Sequence, residues 1–160
     1  MRKITLFLFC AIVIVAAPSC LKNKELESCT NVSAATDEPT ILSYLTSNNI
    51  TGYVKHSSGL YYKVITPGAG AIPGSGDKVY VKYKGYFTNK TSFDSETDAT
   101  KTGWVLNTLI PGWIIGLPMI SKGGKIELYV PSSLGYGCQP TGPIPANSVL
   151  VFEIELVDIG

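Results

Sequence analysis

The sequence predicts an α+β fold, an antiparallel sheet curved over one short helix, and three observations carry that prediction. Beyond residue 58 apolar side chains recur with a period of two, only one internal segment of that region has helical spacing, and turns rich in glycine and proline separate the alternating runs. An alternation that leaves every second residue polar belongs to antiparallel strands with one solvated face, since parallel strands buried on both faces read as continuous apolar runs.

In chain order, Arg2-Lys3 precede an apolar run from Ile4 to Ala17 that ends in Pro18-Ser19-Cys20. A charged start, about fourteen apolar residues and a small-residue exit describe an export signal over residues 1–19, too short for a comfortable membrane span. Two cleavages fit that exit. Ala17-Pro18-Ser19-Cys20 resembles a bacterial lipobox, which would make Cys20 an acylated first residue, and Ala17 with Ser19 also satisfies the small-x-small rule of ordinary secretion. The cysteine stands where the apolar run stops and a polar stretch begins, which favours lipidation and a membrane anchor without a spanning helix. Residues 20–37, rich in Lys, Asn, Glu, Ser and Thr, read as a tether.

Thr36-Asp37-Glu38-Pro39 offers capping side chains and a proline suited to a first helical turn, and Ile41, Leu42 and Leu45 follow before Asn48-Asn49. The spacing predicts a short amphipathic helix from about Glu38 to Ser47 within a segment spanning 38–57. Its apolar face fits either the domain or a second subunit. The main domain, 58–160, begins with strands in which Leu60, Tyr62 and Val64 alternate with Tyr61, Lys63 and Ile65, and Val79, Val81 and Tyr83 alternate with Lys78, Tyr80, Lys82 and Lys84. Pro111 opens the one helical segment, which sets Trp113, Leu117 and Ile120 on one face until Pro118 ends or kinks it. Ser121-Lys122-Gly123-Gly124 then turns the chain into two further strands, Ile126-Leu128-Val130 against Lys125-Glu127-Tyr129, and Leu150-Phe152-Ile154-Leu156 against Val151-Glu153-Glu155-Val157.

Composition excludes several classes of function. Of 160 residues 16% are charged, and without residues 1–19 eleven basic side chains face twelve acidic ones, so no basic field for nucleic acid remains. His56 is the single histidine, which leaves a histidine-based triad or metal site without parts; no metal and no cofactor are expected. Gly68, Gly70, Gly74 and Gly76 lack the Lys-Ser/Thr and helix of a phosphate loop. Once Cys10 leaves with the signal and Cys20 is acylated, only Cys29 and Cys138 remain; an oxidising compartment allows a bridge between them, but sequence does not decide it.

What the sequence offers instead is a scattered aromatic series with one carboxylate in it: Tyr83, Phe93-Asp94, Trp104, Ile110-Pro111-Gly112-Trp113, Leu134-Gly135-Tyr136-Gly137 and Phe152. Rings spread over about seventy residues of alternating strands imply one concave, ring-lined pocket for a ligand that is mostly apolar with a few polar atoms to fix. Core packing is the competing explanation for Trp113 and Phe152, and a residue can serve both.

Taken in order, Val81-Lys82-Tyr83-Lys84-Gly85, Phe93-Asp94-Ser95, Val105-Leu106-Asn107, Ile110-Pro111-Gly112-Trp113, Gly123-Gly124-Lys125, Val130-Pro131, Leu134-Gly135-Tyr136-Gly137, Ile144-Pro145-Ala146-Asn147 and Leu150 to Leu156 resemble the FKBP-type peptidyl-prolyl cis-trans isomerases over about residues 60–158. The resemblance implies a five-stranded antiparallel sheet wrapped round a short helix, with the site between sheet, helix and loops. It implies Trp113 as the floor, with Tyr83, Phe93, Trp104, Leu109, Ile110, Tyr136, Ile144 and Phe152 around it. Asp94 would be hydrogen-bonded to Tyr83, and the Ile110 N–H and the Tyr136 hydroxyl would hold the ligand's carbonyls. Tyr83, Asp94, Tyr136 and Phe152 are the residues expected to act in turnover, the others to bind. The implied partners are proline-containing polypeptides of a bacterial cell envelope, with a macrolide immunosuppressant as a small-molecule ligand; a non-catalytic binding module or periplasmic chaperone is the alternative. The sequence departs from some relatives in the proline-rich stretch Cys138 to Pro145, where they carry a histidine.

Overall fold

The computed structural model describes residues 29–160; the expected export signal, Cys20 and the first part of the expected tether lie outside the described residues. Helix α1 spans Ala34–Ser47, four residues longer at its start than the spacing predicts. Ser33 is the cap, its hydroxyl accepting from the Thr36 N–H at 3.2 Å, and Ala34-Ala35 are strong helix formers, so helix begins upstream of Thr36 and Pro39 sits inside it. The helix stops where Asn48 Nδ2 donates to the Tyr44 carbonyl and Asn49 takes φ 53°, a left-handed conformation that Asn tolerates.

Seven strands follow: β1 Val54–Lys55, β2 Tyr61–Thr66, β3 Lys78–Phe87, β4 Ser92–Glu96, β5 Trp104–Val105, β6 Lys125–Val130 and β7 Leu150–Ile159. They form one sheet in the order β1-β2-β6-β7-β3-β4, with β5 added on β3, and every pairing is antiparallel. Five of them are substantial, as expected; β1 and β5 are two-residue additions. Helix α2, Pro111–Gly116, opens on Pro111 and gives way at Leu117–Met119 to a 3-10 turn containing Pro118, so the proline ends the α-helix as its missing N–H and ring require.

The alternation along β3, β6 and β7 splits the sheet into two buried faces. One face, with Val79, Val81, Ile126, Leu128, Val130, Leu150, Phe152, Ile154 and Leu156, closes over Trp113, Leu117 and Ile120. The other was expected to be solvated, and at one end it is not: Tyr61, Tyr86, Tyr129 and Val151 are buried under Ile41, Tyr44 and Leu45 of α1. The helix therefore packs on its own domain. Tyrosine makes this workable, because the ring is buried while the hydroxyl reaches a carboxylate at the margin: Tyr61 donates to Glu38, Tyr86 to Glu153 and Tyr129 to Glu127. Cys29 and Cys138, 109 residues apart in sequence, are joined by a disulfide with their Cα atoms 5.3 Å apart.

Helix α2 approaches the sheet so closely that two of its positions have no room for a side chain. A Cβ on Gly112 would lie 2.7 Å from Val130 Cγ1, and one on Gly116 would lie 2.6 Å from Leu128 Cδ2, both neighbours being fully buried. Gly112→Ala is expected to lower stability by about 1–3 kcal/mol through overpacking, despite alanine's better helix propensity; urea unfolding checks it, and an unchanged or raised midpoint contradicts the close approach.

Candidate active site

The site lies where β3, β4, β7, α2 and two loops converge, and local backbone irregularities aim its side chains. Between β3 and β4 the register slips: Gly85 pairs with Asp94 while Tyr86 pairs with Ser92, leaving Phe93 as the extra residue of a bulge. In a regular strand Phe93 and Asp94 would point to opposite faces; at the bulge both turn into the same cavity. Gly85 is what lets them in, since a Cβ there would come within 2.6 Å of the Phe93 ring and 3.0 Å of Phe152. From the far side, a 3-10 turn at Ala99–Lys101 brings the chain back to β3, where Thr102 Oγ1 accepts from the Val81 N–H at 2.9 Å and Trp104 pairs with Val79.

The cavity measures about 400 Å³ and is lined by Tyr83, Phe93, Asp94, Trp104, Thr108, Leu109, Ile110, Trp113, Tyr136 and Phe152. Its rings form a continuous chain of edge contacts: Trp113 stands nearly perpendicular to Tyr83 (centroids 5.4 Å, 79°) and to Phe152 (5.3 Å, 89°), and Phe152 nearly perpendicular to Phe93 (5.6 Å, 86°). Such T-shaped pairs add about 0.5–1.5 kcal/mol each beyond their burial and fix the walls. Trp113 is 4% exposed and forms the floor, with its indole Nε1 buried and unpartnered among the described residues. Of the pocket residues named from sequence, Ile144 alone is outside the lining: it is buried in the same core cluster as Trp113 and Phe152. Thr108 lines the cavity and was missed; its hydroxyl is turned to the Val105 carbonyl at 2.7 Å, a turn role that gave no signal in sequence.

Polar groups are few and specific. Tyr83 donates to Asp94 Oδ2 at 2.6 Å, and Asp94 Oδ1 accepts from the Ser95 N–H at 2.8 Å, so the cavity's one carboxylate is hydrogen-bonded through both oxygens. Ile110, extended at φ −61° and ψ 146°, caps α2 with its carbonyl accepting from the Trp113 and Ile114 N–H groups, and the residue lines the cavity. A second depression, of about 330 Å³ over Lys82, Lys84, Glu96, Glu127, Glu153 and Glu155, carries charges of both signs in place of stacked rings.

Burial, and then the hydrogen bond to Asp94, pushes the Tyr83 hydroxyl far above the ordinary tyrosine range; burial, and then the charge of Asp94, raises Tyr136. Burial also raises Tyr61, Tyr86 and Tyr129 beneath α1, each with a neighbouring carboxylate adding to it. All five remain protonated donors through neutral and mildly alkaline pH. In the unfolded chain tyrosine ionises near pH 10, so above that value the native state holds more protons than the unfolded one and stability falls as pH rises. Unfolding midpoints measured from pH 8 to 11.5 are expected to be flat to about pH 10 and to drop beyond it; a midpoint that climbs above pH 10 contradicts the assignment.

The cavity is thus mostly aromatic and apolar, with one hydrogen-bonded carboxylate, and sits in a curved antiparallel sheet over a short helix. Residues 70–157 match the family model described as FKBP-type peptidyl-prolyl cis-trans isomerase, and the chain belongs to that family. Among its relatives, the FKBP-type peptidyl-prolyl cis-trans isomerase FkpA of Aeromonas hydrophila is 43% identical over 118 residues, covering 72% of this chain and 44% of the relative. The outer membrane protein MIP of Legionella longbeachae is 40% identical over 110 residues, covering 68% and 47%. The chain thus spans less than half the length of these curated relatives. In three dimensions it is similar to the crystal structure of FkpA from Escherichia coli (TM-score 0.67, 38% identity, 79% of this chain and 60% of that one). It is also similar to a peptidyl-prolyl cis-trans isomerase from Pseudomonas syringae pv. tomato (TM-score 0.66, 27% identity, 82% and 98%).

Proposed function

We propose that this chain is a peptidyl-prolyl cis-trans isomerase acting on proline-containing polypeptides of the cell envelope, exported by residues 1–19 and held to a membrane by acyl chains on Cys20. The observation that carries the catalytic reading is the Tyr83–Asp94 pair at 2.6 Å within a ring-lined cavity floored by Trp113. Rotating an X-Pro amide requires the loss of its partial double-bond character, a barrier of roughly 18–20 kcal/mol, and unaided it takes tens to hundreds of seconds. No bond to the substrate has to be made or broken. Water solvates the planar, charge-separated amide better than the twisted one, so a dry aromatic cradle favours the twisted state, and each ~1.4 kcal/mol removed from the barrier gives about tenfold in rate.

In this reading the proline ring rests on Trp113 between Tyr83, Phe93, Ile110 and Phe152. The Ile110 N–H and the Tyr136 hydroxyl orient the flanking carbonyls, Trp104 and Leu109 close the rim, and Asp94 fixes Tyr83 and places a negative charge beside the rotating carbonyl. Ile144 belongs to the buried cluster that holds Trp113 and Phe152. A macrolide immunosuppressant would occupy the same cavity. The envelope assignment is supported by the leader-like N-terminus, by the similarity to the outer membrane protein MIP of Legionella longbeachae, and by a disulfide, which persists in oxidising compartments. Among the described residues no helix is long and apolar enough to cross a membrane.

The test is a protease-coupled or NMR-exchange assay of an Ala-Leu-Pro-Phe peptide with the full chain. Acceleration over buffer is expected, with Asp94→Ala lowering kcat/KM by about tenfold, the equivalent of one charge-assisted hydrogen bond. A well-folded chain that matches buffer rules out the enzyme and leaves a binding module. Labelled-palmitate incorporation that vanishes in Cys20→Ser tests the anchor separately.

A further inference from the structure

The loop bearing Tyr136 is organised around a single carbonyl. Ser132 O accepts from the Gly135 N–H at 3.0 Å and from the Gly137 N–H at 2.9 Å, so both neighbours of Tyr136 are tied to one atom. Ser132 is fully buried, and both of its own donors go to a residue 95 positions earlier: its N–H and its hydroxyl meet Asp37 Oδ2 at 2.8 and 2.6 Å. Asp37 is 7% exposed and stands on α1 among residues whose business is apolar contact. A buried carboxylate is costly unless its bonds accomplish something, and α1 would dock on Tyr61 and Tyr129 with alanine at this position.

The loop's other flank is gripped by the same segment. Asn31 Oδ1 accepts from the Cys138 N–H at 2.7 Å, and a Cβ on Gly137, at φ 61°, would collide with that oxygen. Asn147, whose N–H donates to the Gly137 carbonyl at 2.7 Å, donates through Nδ2 to the Thr30 carbonyl at 3.2 Å, and the Cys29–Cys138 bridge lies two residues from Tyr136. Residues 29–37 are therefore a strap across the pocket loop, read in sequence as tether.

We propose that Asp37 is a positioning residue for the pocket: through Ser132 it holds the frame of residues 132–137 and so keeps the Tyr136 hydroxyl at the cavity wall, where the substrate carbonyl is bound. Its kinetic consequence rests on the isomerase reading; its structural consequence does not. Asparagine presents the same acceptor oxygen and alanine presents none, which makes the pair of substitutions diagnostic.

In the full chain, hydrogen exchange is read at the Gly135 and Gly137 amides relative to amides in β6, alongside kcat and KM for the peptide. Asp37→Ala is expected to speed exchange at those two amides by about tenfold over the β6 change and to raise KM several-fold with a smaller effect on kcat, whereas Asp37→Asn stays within about twofold of the parent in both. Should Asp37→Ala not fold, Ser132→Ala removes the hydroxyl donor alone and is expected to give a smaller change of the same sign. Loop amides as protected in Asp37→Ala or Ser132→Ala as in the parent, or asparagine failing to restore what alanine loses, overturns the proposal. An inactive parent whose loop protection still depends on Asp37 sinks the isomerase reading and upholds the positioning role.

Discussion

Breaking the Cys29–Cys138 bridge in the full chain is expected to lower its unfolding free energy by about 4–5 kcal/mol, from the loop-closure entropy that a crosslink of this span removes from the unfolded chain. The bridge connects residues 109 apart, so it closes a loop that takes in both helices and every strand but β7, and its 5.3 Å Cα separation lies within the usual range. The effect acts mainly on the unfolded state, so spectra of the native protein should change little. The measurement is urea unfolding of the parent with and without reductant, and of a Cys29→Ser/Cys138→Ser variant. Reductant should lower the parent's midpoint to that of the variant and leave the variant unmoved. A difference below about 1 kcal/mol would mean that residual structure already restricts this loop in the unfolded chain, or that the strap detaches in the reduced chain and regains the freedom the bridge had removed.

That bridge also shows where sequence stops being informative. The strands, the helix at Pro111 and the ring-lined pocket were legible because each is written locally: a period of two, a proline at the first helical position, rings at the ends of alternating runs. The strap was not legible, because its partners lie 95, 107 and 109 residues away and nothing in Asn31 or Asp37 names Cys138 or Ser132. The start of α1 was misplaced for a related reason. Polar composition made Ser33 to Asp37 look like tether, and the Asp37 carboxylate, which is turned to a buried serine, was read among the capping side chains. The outer face of the sheet was misjudged through Tyr61 and Tyr129, whose polar tips read as solvated although their rings are buried under α1. Even at the pocket, alternation alone would have set Phe93 and Asp94 on opposite faces; the family resemblance brought them together, and the bulge at Gly85 is the physical reason that they meet.

Trp113→Ala is expected to lower stability by about 3–5 kcal/mol and to abolish most peptide turnover, because the same ring serves the core and the floor. Its 4% exposure, its edge contacts with Tyr83 and Phe152 and its place on α2 make it a core residue by any measure, so a loss of activity in this variant alone does not show that the cavity above it is the site. Leu117→Ala separates the two roles. Leu117 is equally buried and belongs to the same cluster, but it does not line the cavity, and its truncation is expected to cost about 2–5 kcal/mol. Measured well below their unfolding midpoints, Leu117→Ala should keep kcat/KM within a few-fold of the parent while Trp113→Ala falls by more than about tenfold, since on the isomerase reading Trp113 would bear the substrate's proline ring and Leu117, outside the cavity, would not. Trp113→Phe, which restores an aromatic edge for Tyr83 and Phe152 over a smaller area, should recover about half of the lost stability and part of the turnover. If Leu117→Ala and Trp113→Ala lose turnover in the same proportion to stability, the floor contributes packing alone, and the site of bond rotation has to be sought away from this cavity.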